Sequence, residues 1–224
     1  MPDYFTHHIA AELIYERLDG EHKKILAQDK TLYMLGAQGG DVFFFYGLSY
    51  KYNPGRILHR MAAAELFEKL CKGNAAYCAG WATHYALDCT VHPFVYAYEE
   101  THKGAFLHQR YERDFGLYLI RRCNMRRMIL PRERVLDCTF AVCDSVKRLL
   151  PYINAAGTAS CLKRHFAYTL RQFKSKKQQF ELDCDYSETY KAFERGLELG
   201  VKCVESALDK NIDGEIFNKS FLQK

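Results

Sequence analysis

AAYCAGWATHYALDCTVH, residues 75–92, reads as one long apolar helix, and the rest of the chain is organised around it. Apolar residues run through it without the alternation of two that marks a strand. Its polar exceptions, His84, Asp88 and His92, recur every four positions, which stacks them on one helical face. His108 and Glu112 repeat the spacing further along. Imidazoles and carboxylates stacked in this way can hold a metal ion. Zinc takes nitrogen and oxygen ligands in a tetrahedron drawn from more than one element. The chain supplies enough groups for more than one ion.

Working outward, helical periodicity predicts further helices over 7–18, 21–28, 56–72, 105–127, 132–149, 158–180 and 186–209. The central helix is expected to end at His92, because a residue before proline disfavours helical angles. Pro131 suits the first turn of one helix and Pro151 terminates it. The glycine-rich, aromatic stretch from Met34 to Gly47 breaks the periodicity and reads as a loop folded into the core. With strand signals almost absent and no linker or repeat, the expected fold is all-α, a compact multi-helix bundle forming a single domain over 1–224.

The chain has 224 residues, 48% of them hydrophobic, enough for one substantial core. It has no apolar run of 18 residues, so no spanning helix is predicted. The start, MPDYFTHHIAAE, does not read as a signal peptide, which makes the cytoplasm the expected location. Nine cysteines with no CxxC pair read as reduced, buried thiols. The net charge of +5 is modest. The basic runs Arg121–Arg127 and Lys163–Lys177 suit either anionic partners or a solvated helix face.

Other residues compete for a place in the metal site. Asp41 lies in GAQGGD, where the backbone can approach a ligand closely, and it precedes an apolar run that would bury it. A buried lone carboxylate needs a charged partner, although a helix cap at Val42 is the alternative. His59 sits in an amphipathic helix, and His7 and His8 open the first one. Glu99 and His102 form an ExxH that has no second copy, so a di-iron bundle is not expected. His22 and His165 have polar neighbours and read as surface residues. The chain shows no HD dipeptide, no phosphate-loop GK[ST] and no GxSxG elbow.

Taken in order, TH at His7, GAQGGD at Asp41, His59, HYALDCTVHP at His84 to Pro93, and HQRYERD from His108 resemble the zinc-dependent phospholipase C and S1/P1 nuclease superfamily. The resemblance implies an all-α fold around two or three zinc ions. Asp41, His59, His84 and Asp88 would hold the first ion, and His92, His108 and Glu112 the second. His7 with a bridging Asp88 would hold the third, or His8 if the register slips by one. Asp41 would double as general base, and Asp114 as a supporting partner of the ligands. The implied substrate is a phosphodiester, either a phospholipid headgroup or a nucleotide, with no stable nucleic-acid complex. No oligomeric state is implied.

The chain also departs from that pattern. Exported members use a mature N-terminal Trp amine on the third ion, whereas this chain begins Met1-Pro2, so a Pro2 amine would substitute only where Met1 is removed. Gly40 stands where many members have proline. Val42 and Arg56 replace the aromatic pair that cages choline, and Arg56 favours an anionic group such as a second phosphate. The aromatic segment Phe43–Tyr46 is the feature that suits a nuclease, by stacking on bases.

Overall fold

The computed structural model describes residues 4–47, 49–124, 129–174, 179–219 and 221. Among these residues there are no strands and eleven α-helices, so the protein is all-α. In chain order they are α1 (Tyr4–Arg17), α2 (Gly20–Gln28), α3 (Lys30–Gly36), α4 (Pro54–Leu58), α5 (Ala63–Leu70) and α6 (Ala75–Thr101). Then follow α7 (Leu107–Arg122), α8 (Arg132–Asp137), α9 (Thr139–Lys147), α10 (Ala155–Lys174) and α11 (Ser187–Leu208).

Helix α6 is the axis of the molecule. It starts where the Asn74 side chain accepts the Tyr77 N–H at 2.9 Å, replacing a bond the first turn cannot make internally. Its residues from Ala76 to Cys89 are all buried, which fits a helix apolar on every side. Helices α3 and α11 pack along it. Gly80 lets α3 cross at backbone contact, since a Cβ there would sit 2.7 Å from both the Ala37 nitrogen and the Gly36 carbonyl carbon. That crossing sets the segment after α3 directly over His84. Trp81, Tyr77, Tyr85, Tyr33 and Phe67 fill one contiguous core around this axis.

Several boundaries differ from the sequence expectation. Helix α6 does not stop at His92 but runs through Pro93 to Thr101. A proline inside a helix costs about 3 kcal/mol; here the continuation buries Val95 in the core and carries Tyr96 and Glu99 onto the His92 face. The expected 56–72 helix is two, because the chain turns extended at Ala62 and leaves His59 as the C-terminal cap of α4. The 132–149 helix divides at Cys138, and Pro131 stands just before the first helical residue. The Met34–Gly47 stretch does enter the core, but as the end of α3 followed by a 3₁₀-helix, Gly39–Phe45. Parts of the predicted 105–127 and 158–180 helices, at 125–127 and 175–178, lie outside the described residues.

Two residue assignments are also corrected. Cys71 and Cys78 form a disulfide, so the cysteines are not all reduced thiols; the bond joins the end of α5 to the first turn of α6. His165 is buried, with 7% of its surface exposed, in contact with the rings of Tyr4 and Phe45. The described arginines of the basic runs, Arg121, Arg122, Arg164 and Arg171, are on exposed faces. No helix among the described residues is long and apolar enough to cross a membrane.

Candidate metal centre

The four-residue rhythm of α6 delivers His84, Asp88 and His92 to one side of the helix, all buried. Asp88 is the hub, because its Oδ2 lies 3.2 Å from His84 Nε2 and its Oδ1 3.4 Å from His92 Nδ1. His59 Nε2, at the end of α4, approaches Asp88 Oδ2 at 3.8 Å and faces His84 Nε2 at 3.3 Å. His7 Nε2, from the first turns of α1, stands 3.7 Å from Asp88 Oδ1.

Asp41 arrives from the 3₁₀-helix. Its Oδ1 is 3.3 Å from His59 Nε2, and its Oδ2 is 4.0 Å from His7 and 3.9 Å from His84 Nδ1. The glycines before it make this approach possible. Gly39 has φ +50°, and a Cβ on it would overlap the His84 ring; one on Gly40 would sit 2.6 Å from His59 Cε1. Helix α7 supplies the last pair: Glu112 Oε1 lies 3.0 Å from both His92 Nε2 and His108 Nε2.

The donors fall into three groups whose ligand atoms lie within 4.8 Å of one another: His7, Asp41 and His84; His59, His84 and Asp88; His92, His108 and Glu112. All eight residues expected from the sequence are therefore brought together, with His84 shared between two groups. His8 is not among them. Its ring turns to the other side of α1, where Nδ1 meets the Tyr4 hydroxyl at 3.2 Å. His102 is exposed and stacks on Tyr98. Met1 to Asp3, including the Pro2 amine, lie outside the described residues.

The donor set fits cations in a specific way. His7 Nδ1, Asp41 Oδ1, His84 Nδ1, Asp88 Oδ2, His92 Nδ1 and Glu112 Oε2 are buried and make no hydrogen bond. Buried polar atoms are normally paired, and each orphan costs about 1–3 kcal/mol. Two imidazole nitrogens facing each other at 3.3 Å, as in His59 and His84, cannot both carry hydrogen. Divalent cations answer both problems.

The electrostatics agree. Burial alone would raise the acidic groups, but the surrounding imidazoles outweigh it and hold Asp88, Glu112 and Asp41 well below the usual carboxylate range. Burial would lower His92, yet the Asp88 charge and the Glu112 bond push it up to about 9. His7 goes the other way, to about 4, because burial and the neighbouring His84 both disfavour its charge. The carboxylates thus stay ionised, held so by the imidazoles around them.

The family model of zinc-dependent phospholipase C matches residues 4–193, which include all eight of these donors. The chain belongs to the zinc-dependent phospholipase C family. Comparison with curated proteins and with solved structures returns no match. Zinc is accordingly the cation that family membership and the His/Asp groups support.

Beside this centre of the family member opens a cleft of about 300 Å³, lined by Asp41, His59, His92 and His108 on the donor side. Its walls are Phe44, Arg56 and Arg60 opposite Tyr96, Glu99 and Gln109. Glu99 accepts from His108 Nδ1 at 2.9 Å, and the Gly55 carbonyl accepts from His59 Nδ1 at 2.6 Å. Each bond fixes a ring so that its Nε2 points at the cluster, which is how outer carboxylates and carbonyls orient metal-binding histidines. Sequence reasoning missed Tyr96 and Glu99. The signal was present, since they continue the face of His92 by four and seven residues.

Asp114 does not support the ligands. Its buried carboxylate accepts the backbone N–H groups of Glu181 and Leu182 and pairs with Arg113 instead. Of the aromatic segment 43–46, only Phe44 borders the cleft, and Phe43 is wholly buried.

Proposed function

We propose that this chain is a zinc-dependent phosphodiester hydrolase that activates water for attack on phosphorus. One observation carries the reading: four members of the donor cluster, Asp41, His59, His92 and His108, border an open cleft. A structural zinc site is closed by its protein ligands, whereas a catalytic one keeps positions for water and substrate. In our assignment Asp41, His59, His84 and Asp88 would hold one ion, His92, His108 and Glu112 a second, and His7 with Asp88 a third. Bound zinc lowers the pKa of water towards neutrality and stabilises charge on phosphoryl oxygens.

The protein groups then divide the remaining work. Asp41 is the cluster carboxylate that lines the cleft, while Asp88 and Glu112 do not, which supports Asp41 as the acceptor of the proton from the attacking water. The environment that holds it ionised also keeps it a proton acceptor at neutral pH. Glu99 and the Gly55 carbonyl keep His108 and His59 in the tautomer whose Nε2 is free for metal. Phe44, stacked on His59 with centroids 5.3 Å apart, covers one face of that ring.

The test is hydrolysis of bis-p-nitrophenyl phosphate by the zinc-loaded protein. Turnover is expected, with Asp41→Asn losing it by about 100-fold or more. No turnover at defined zinc content, against an active phospholipase C control, overturns the reading. Phe44 at the cleft favours a second reading, a nuclease of the S1/P1 kind. Faster cleavage of single-stranded DNA than of any phospholipid would select it.

A further inference from the structure

The wall of the cleft that carries Arg56 and Arg60 is cationic. Arg56 lies in α4 and Arg60 four residues on, in the turn after it, so both are carried on one side of the same short element. Two bonds brace that element internally and one ties it to the segment that carries Asp41. The Asn53 side chain accepts the Arg56 N–H at 3.3 Å and donates to the Phe44 carbonyl at 3.0 Å. His59, between the two arginines in sequence, donates back to the Gly55 carbonyl at 2.6 Å. The backbone that carries both arginines is therefore tied to that of a metal donor, and pre-organisation of this kind reduces the cost of binding.

The opposite wall has one carboxylate in the cleft, Glu99, and its Oε2 accepts from His108 Nδ1. Charge across the cleft is thus polarised, with cationic groups on the α4 side and a hydrogen-bonded carboxylate on the other. A quaternary ammonium group would meet repulsion at the α4 wall. A phosphomonoester would find two planar, permanently charged forks suited to its oxygens.

We propose that the cleft is specific for phosphodiesters carrying a second, terminal phosphate, which Arg56 and Arg60 bind while the diester lies at the metal cluster. This rests on the phosphodiesterase reading and narrows its substrate class. The second phosphate arrives either on a lipid headgroup or on its water-soluble, deacylated counterpart, since both present the same chemistry to the arginines. A cleft of about 300 Å³ is the size of a headgroup rather than of a polymer.

Two matched pairs test it with the zinc-loaded protein: phosphatidylinositol against its 4-phosphate in mixed micelles, and glycerophosphoinositol against its 4-phosphate in solution. In at least one pair the phosphorylated member is expected to be favoured by about 10- to 100-fold in kcat/KM, the value of charge-assisted bonds to one group. In the double variant Arg56→Gln/Arg60→Gln that ratio should fall below about 3, and Arg56→Lys/Arg60→Lys should restore part of it. Preference in the micellar pair alone identifies the lipid as the source; preference in both identifies the headgroup itself.

Equal rates within both pairs, or a preference that survives the double glutamine variant, overturn the proposal. Calorimetric binding of inositol 1,4-bisphosphate separates this from failure of the parent reading. If bis-p-nitrophenyl phosphate is not hydrolysed but the bisphosphate binds at least about 10-fold more weakly to the variant, hydrolysis fails and the subsite stands. Identical binding to both proteins removes the subsite whatever the activity.

Discussion

Replacing Asp88 by Asn keeps the shape of the side chain and removes one charge from the hub of the site. The residue is 2% exposed, so solvent cannot compensate. Four imidazole nitrogens, of His7, His59, His84 and His92, surround its two oxygens at 3.2 to 3.8 Å. At an effective dielectric of about 20, two unit charges about 4 Å apart interact by roughly 4 kcal/mol. Changing a group that only orients a ligand costs about 10- to 100-fold in metal affinity. Loss of a shared ligand should therefore cost at least about 100-fold, near 2.8 kcal/mol, for each ion it touches. The assay is elemental analysis after dialysis at buffered free zinc, followed by turnover of bis-p-nitrophenyl phosphate. Asp88→Asn is expected to retain zinc at the His92, His108 and Glu112 group longest and to have lost turnover at zinc levels that saturate the wild type. Equal stoichiometry and equal rates in both proteins at limiting zinc would refute Asp88 as a shared ligand.

Glu99→Gln should weaken zinc at that same group by about 10- to 100-fold, measured by chelator competition; unchanged affinity would show that Glu99 does not orient His108. His165→Ala should cost about 2–3 kcal/mol in denaturant unfolding with zinc content unaltered, because the ring is buried against Tyr4 and Phe45; a silent substitution would contradict that packing. His22 should titrate above an ordinary imidazole in an NMR titration. Burial pulls it down, but Asp209 and Asp19 outweigh this. Its stabilising contribution is then present below the unfolded value near 6.5 and lost as pH rises through the raised folded value. Asp209→Asn should lower the titration midpoint, and a His22 midpoint at or below the ordinary value would count against the bridge.

Spacing alone placed His84, Asp88 and His92 on one face, and His108 with Glu112 on another, because four-residue steps have the same meaning in every helix. It did not show that these faces meet. That depends on the close crossing of α3 over Gly80 and on the backbone of Gly39 lying against the His84 ring, both long-range events. Tyr96 and Glu99 are not legible as part of the His92 face because the proline signals a helix end, whereas burial of Val95 carries α6 past it. His165 was misread from its charged neighbours Lys163 and Arg164; the buried run Thr158, Cys161, Leu162, His165 and Thr169 has the period of a helix face and would have placed it inside. The Cys71–Cys78 bond has a seven-residue spacing with no metal-site or redox signature.

Ligands that come from α1, the Gly39–Phe45 segment, α4, α6 and α7 have a consequence for how the chain holds itself together. The eight donors are joined by chain segments of very unequal length, and a cation bound by them ties those segments into closed loops that the unfolded chain must give up. Free energy of zinc binding becomes free energy of folding. Chelation should therefore do more than silence turnover. It should loosen the first turns of α1 and the α4 turn before the α6–α11 core, and amide exchange would register this as a zinc-dependent difference confined to the segments that carry the donors.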